Sequence, residues 1–173
     1  MNYRILTATA LLVTLATSAS TVMAQTASQG FRVVVPTGLS IVAPTDAQIT
    51  HDETDNDNLF PPQTWVVKGN ASNGLTVTFA TQDVFKHSSG NFQRDAGLSI
   101  ALGTTQGPAT WNIVTASDQT DYAASDPIAE VSASSNGVGR ANIDLTVSFV
   151  TEEFGVFAAG DYDMTVVGTV AAN

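Results

Sequence analysis

Apolar and polar side chains alternate with a period of two along much of the chain. The clearest run is Ala141-Asn142-Ile143-Asp144-Leu145-Thr146-Val147-Ser148-Phe149, apolar at odd positions and polar at even ones. Successive side chains of a strand point to opposite faces, so this run predicts a strand with one face in a core and the other in water. Leu75-Thr76-Val77-Thr78-Phe79 repeats the pattern. Tyr162, Met164, Val166 and Val170 mark one face of a last strand, and Asp163, Thr165 and Thr169 the other. Gly168 interrupts its apolar face and predicts a bulge or a close backbone approach. Further strands are predicted over 31–35, 39–43, 47–51, 64–68, 98–102, 111–115 and 128–133. Turn residues separate them at Pro36-Thr37-Gly38, Asn73-Gly74, Gln106-Gly107-Pro108 and Asn136-Gly137. The only helical expectation after residue 24 is a single turn near 152–157.

Short strands punctuated in this way predict one all-β domain over 25–173, an antiparallel immunoglobulin-like sandwich of about eight to ten strands. Its predicted core comprises Val33, Ile41, Trp65, Val77, Phe79, Leu98, Ile100, Trp111, Ile113, Val131, Ile143, Leu145, Val147, Phe149, Tyr162, Met164 and Val166. Three segments also recur in order. Gly38-Leu39-Ser40-Ile41 returns as Gly97-Leu98-Ser99-Ile100. Ile49-Thr50 with Glu53-Thr54-Asp55 has a counterpart in Val114-Thr115 with Gln119-Thr120-Asp121. Leu75–Thr81 returns as Leu145–Thr151. An internal duplication and simple convergence of Thr/Val alternation both account for this.

Composition changes the picture at the N-terminus. Arg4 precedes the apolar run Ile5–Leu15, and Val22-Met23-Ala24 ends in small residues. Residues 1–24 thus read as a secretory signal cleaved after Ala24, and the protein as secreted, periplasmic or cell-surface. No later segment is long and apolar enough to span a bilayer. The whole chain carries six Lys and Arg against sixteen Asp and Glu; without Arg4, five basic residues remain and the formal charge is −11. Such a chain repels phosphate backbones, which argues against nucleic-acid binding. With no cysteine, disulfides and thiolate metal sites are excluded.

Candidate chemistry is sparse. Residues 51–58, His-Asp-Glu-Thr-Asp-Asn-Asp-Asn, offer hard oxygens for calcium at Asp52, Asp55 and Asp57. The spacing is not that of an EF-hand, and the competing reading is a solvated corner carrying the chain between sheets, ended by Pro61-Pro62. The counterpart stretch 116–127 carries the same expectation. His51 and His87 read as exposed loop side chains. No G-x-S-x-G is present, and no Ser, His and acid assemble in sequence, so the chain reads as non-enzymatic and without a required cofactor. Tyr122 is the candidate exposed ring for a ligand. Phe31, Val33 and Val35 form a candidate assembly strand on the tether Gln25–Gly30, able to pair with a neighbour's sheet edge.

The segment Ala158-Ala159-Gly160-Asp161-Tyr162-Asp163-Met164-Thr165-Val166-Val167-Gly168-Thr169-Val170 resembles the closing strand of secreted bacterial surface β-sandwiches: spore coat protein U-type pilins, fimbrial subunits and WxL-type domains. The chain lacks the cysteine pair of many of these pilins and has no Trp-x-Leu motif. The resemblance implies an exported sandwich with a surface role. The expected function is a non-catalytic surface or matrix component, with protein partners or self-association in a pilin-like manner; the alternative is a glycan- or calcium-binding adhesion module.

Overall fold

A computed structural model describes residues 25–173; the predicted export signal at 1–24 lies outside the described residues. The chain divides into two units, Met1–Val34 and Val35–Asn173. In the first, residues 25–34 hold no regular secondary structure, and Phe31, Val33 and Val34 are exposed. The strand expected over 31–35 is therefore absent, and Val33 is not a core residue. A strand exists through its neighbour's hydrogen bonds, and β-propensity alone does not supply them.

The second unit is antiparallel throughout. Its larger sheet runs in the order β1 (Leu39–Val42), β3 (Gln63–Gly69), β11 (Gly139–Phe149), β7 (Ala96–Gln106) and β9 (Ser117–Gln119), with β2 (Asn58–Leu59) also on β11. The smaller sheet runs β13 (Val166–Ala172), β4 (Leu75–Thr81), β10 (Glu130–Ser135) and β8 (Trp111–Thr115). A third, minor sheet joins β12 (Tyr162–Asp163), β5 (Phe85–His87) and β6 (Gln93–Arg94). The described residues thus hold 13 strands rather than the expected eight to ten. The surplus consists of two- and three-residue strands, too short to show a period in sequence.

The two principal sheets pack as a sandwich through their alternating faces. Leu75, Val77, Phe79 and Thr81 of β4 point inward, as do Ala141, Ile143, Leu145 and Phe149 of β11. Val67, Leu98, Ile100, Trp111 and Val131 join Leu75, Val77, Phe79, Ala141, Ile143 and Leu145 in the main core. Each fully buried aliphatic or aromatic side chain stabilises the fold by roughly 1.5–3 kcal/mol. The connections β3–β4, β7–β8 and β10–β11 change sheets at the predicted glycine turns.

Several expectations need correction. Residues 47–51 form no strand. The stretch 51–62 does not cross between sheets, because β2 and β3 both pair with β11; Pro61 and Pro62 merely interrupt one edge of that ladder. The counterpart stretch does cross, from β9 to β10. The last strand is two: Tyr162-Asp163 pairs with β5, and Val166–Ala172 with β4. No helix forms in 152–157: residues 154 and 155 make an isolated turn, and Glu152 (φ 58°) and Gly155 (φ 93°) take left-handed conformations. At Gly168 the ladder is continuous and the approach is close: a Cβ there would lie 2.8 Å from Ile41 Cδ1 and from Trp65 Cζ3. Of the recurring segments, Leu75–Thr81 and Leu145–Thr151 lie on inner strands of opposite sheets, whereas Leu39–Ile41 is on an edge strand and Leu98–Ile100 on an inner one.

Candidate functional site

The acidic loop 51–58 folds against the segment that follows β11. Asp57 Oδ1 accepts from Thr151 N at 3.0 Å, and Asp55 Oδ1 from Phe154 N at 2.9 Å. Asp52 Oδ1 accepts from Thr54 N, from the Thr54 hydroxyl and from Asn58 Nδ2. The three carboxylates therefore serve three different sets of donors. Among the described residues, no group of three or more His, Asp and Glu side chains is placed to hold a metal ion. The loop acts as a clasp, using short polar side chains to satisfy amides that no ladder engages.

His51 sits within this clasp, half-buried rather than exposed. Glu53 N donates to its Nδ1 at 2.9 Å, which leaves Nε2–H to donate to Thr151 Oγ1 at 3.0 Å. Its ring packs on Phe154, Phe157 and Phe149, with centroids 5.2–5.8 Å apart. His87 is similarly held: Ser89 N donates to Nδ1, and Nε2 faces Ala159 O at 3.3 Å. Its ring meets Tyr162 at 4.9 Å and Phe92 at 5.7 Å. Phe85, Ala96 and Phe149 are the buried centre of this second core, with Phe60, Phe157, Tyr162 and Met164 around it.

The carboxyl of Asp52 is held below its ordinary range by the Thr54 hydroxyl and the Asn58 amide, followed by the Thr54 amide. A depressed folded pKa means a contribution that is present above the unfolded value and lost as pH falls through the folded one. Acidification below about pH 4 is therefore expected to move the Thr54 and Asn58 amide resonances together. Asp52→Asn should flatten that response; an unchanged acid titration in the variant would assign it to another carboxylate.

Arg94 is the charged residue of the cluster. It is only 5% exposed, and its guanidinium carbon lies 4.9 Å from the Phe157 ring centroid. Nη1 donates to Glu152 Oε2 at 3.0 Å, while Nε is buried and has no partner among the described residues. Glu152 itself is well exposed, so this ion pair is screened and contributes little by itself. Burial raises the Tyr162 phenol above its ordinary pKa, with the Arg94 charge opposing the shift; its hydroxyl donates to Ala158 O.

The ring expected to face solvent, Tyr122, stands beside this arginine. The backbones of Asp121 and Asp126 pair across the turn that presents it. Asp95 Oδ1 accepts both Tyr122 N and the Thr120 hydroxyl, tying the turn to the residue next to Arg94. Tyr122, Arg94, Phe92, Phe157, Val156, Gln93 and Asn91 line a cleft of about 260 Å³. The acidic loop and Tyr122 are thus separate features: the first supports the 151–154 segment, and the second opens a cleft.

Arg94 was invisible to motif reasoning, but strand parity marks it. Ala96, Leu98 and Ile100 point inward from β7, and two residues before Ala96 the same parity falls on a cation. A charged residue on an inward parity is a site signal, because burying it requires partners. No match to this chain was found among protein-family models, curated proteins or solved structures.

Proposed function

We propose that this protein is an exported, non-catalytic structural component of a cell surface or extracellular matrix. In this reading it is an immunoglobulin-like module that self-associates through Phe31–Val35. The observation carrying it is the state of that segment. Phe31, Val33, Val34 and Val35 are 86%, 87%, 73% and 74% exposed and belong to no strand. Consecutive apolar residues left in water are unfavourable, and contiguous exposed apolar surface marks interaction sites. β-Branched residues suit an extended conformation, and a sheet edge offers the unpaired backbone groups that such a segment lacks. Strand addition satisfies both, with the alternate side chains Phe31, Val33 and Val35 on one face.

Size-exclusion chromatography and electron microscopy of the chain with and without residues 25–35 test this. The intact chain is expected to form concentration-dependent oligomers, and the deletion to remain monomeric with unchanged melting temperature. Val33→Asp with Val35→Asp should act like the deletion. Monomers in every case at high concentration would overturn the proposal.

A further inference from the structure

We propose that the cleft beside Tyr122 binds a sugar that carries a carboxylate, a single uronic acid unit, with Arg94 recognising the acid group. The cleft is built from the two chemistries such a ligand needs. Phe92, Phe157 and Tyr122 bring aromatic carbon to the cleft for the C–H surfaces of a pyranose, and the exposed Asn91 and Gln93 carry amides that both donate and accept toward hydroxyls. At about 260 Å³ the cleft falls just below the ~300–1,000 Å³ of drug-sized pockets, which suits a single ring.

The arginine sets the charge. A guanidinium presents N–H groups in a fork that matches a carboxylate. Glu152 uses Nη1, and the Nε side of the fork has no acceptor among the described residues. A buried donor without a partner is unfavourable, so an arriving carboxylate gains what the folded chain leaves unmade. The 152–157 segment, which has no ladder of its own, supplies Val156 and Phe157 to one side of the cleft. Glu152 in that segment is held left-handed at φ 58°, a conformation that non-glycine residues keep where surrounding contacts enforce it. This site is independent of residues 31–35, and either proposal stands without the other.

The test is titration of the ¹⁵N-labelled chain with D-glucuronate, its methyl ester and D-glucose, read by amide shifts. Saturable shifts at residues 91–94, 122, 156 and 157 are expected with glucuronate, and binding about tenfold weaker with the uncharged ester and with glucose. Arg94→Lys retains the charge but loses the fork and should weaken glucuronate about tenfold. Tyr122→Ala, at a partly exposed position, should weaken all three sugars without altering the fold. Equal response to the acid and its ester, equal response to a short Glu-rich peptide, or no saturable shift at the cleft would overturn the assignment. The ester comparison decides the matter even if Arg94→Lys fails to fold.

Discussion

Phe79→Ala is expected to lower the unfolding free energy by about 4 kcal/mol, the largest effect of any single truncation in this fold. Phe79 has no solvent exposure and is the largest side chain in that condition. It stands on β4, flanked by Val131 of β10 and Gly168 of β13. Its ring meets Trp65 from the opposite sheet edge-on, with centroids 5.1 Å apart. Truncation removes that contact and leaves a cavity between two hydrogen-bonded sheets, which resist collapsing into it. A domain of this size has about 5–15 kcal/mol of stability, so the variant should be marginal at 25 °C. Urea denaturation should show a lower midpoint with an unchanged slope. Phe92→Ala, at a partly exposed ring, is the comparison and should cost well under half as much. A Phe79→Ala loss below about 1 kcal/mol would mean that the sheets do not pack as described.

Gly74→Ala is expected to cost about 3 kcal/mol, more than conformation alone explains. Gly74 has φ +94°, a region where a side chain costs about 1–2 kcal/mol. In addition, a Cβ would fall 1.9 Å from the carbonyl oxygen of Ser135 and 2.9 Å from Gly137 N, both backbone atoms. Two of the connections that change sheets, β3–β4 and β10–β11, lie against each other here. Leu75 N donates to Ser135 Oγ, and Asn173 binds both turns through Gly74 O and Ser135 O. The methyl group must push these connections apart. Gly90→Ala separates the two contributions, since Gly90 has φ +75° and open space around its Cβ position. Thermal and urea unfolding of both variants should give a loss near 1 kcal/mol for Gly90→Ala and a clearly larger one for Gly74→Ala. Equal losses would remove the steric part of the argument.

The long alternating strands could be read directly from the chain. β4 and β11 each keep one face in the core and the other facing outward, and a period of two records that burial wherever it persists for several residues. Residues 31–35 and 47–51 have β-favouring composition without a neighbour to pair with, and pairing is not written in local sequence. The split after Asp163 was hidden for the same reason. Tyr162, Met164, Val166 and Val170 share one parity, but the first two join the aromatic cluster and the last two the main core. At the candidate site, Tyr122 could be chosen as an exposed ring in a polar turn. Arg94 could be flagged only by its inward parity and not given a role, because Glu152 and Phe157, which give it meaning, lie about sixty residues further on and reach it only through the end of β11.

The placement of β4 and β11 also governs when the molecule can take shape. While residues up to 129 have emerged from a ribosome, the pairings on hand are the local ones, β1 with β3, β5 with β6 and β7 with β9. β4 meets its two partners only in β10 and β13, and β11 is the seam that joins β3 to β7. Translation must be almost finished before either layer can close. Distant pairing of this kind is slow, on the order of milliseconds to seconds, and favours whole-chain condensation over stepwise growth from the first residues. A growing polypeptide of this design stays open along most of its length, the condition in which a chain can be threaded through a narrow passage.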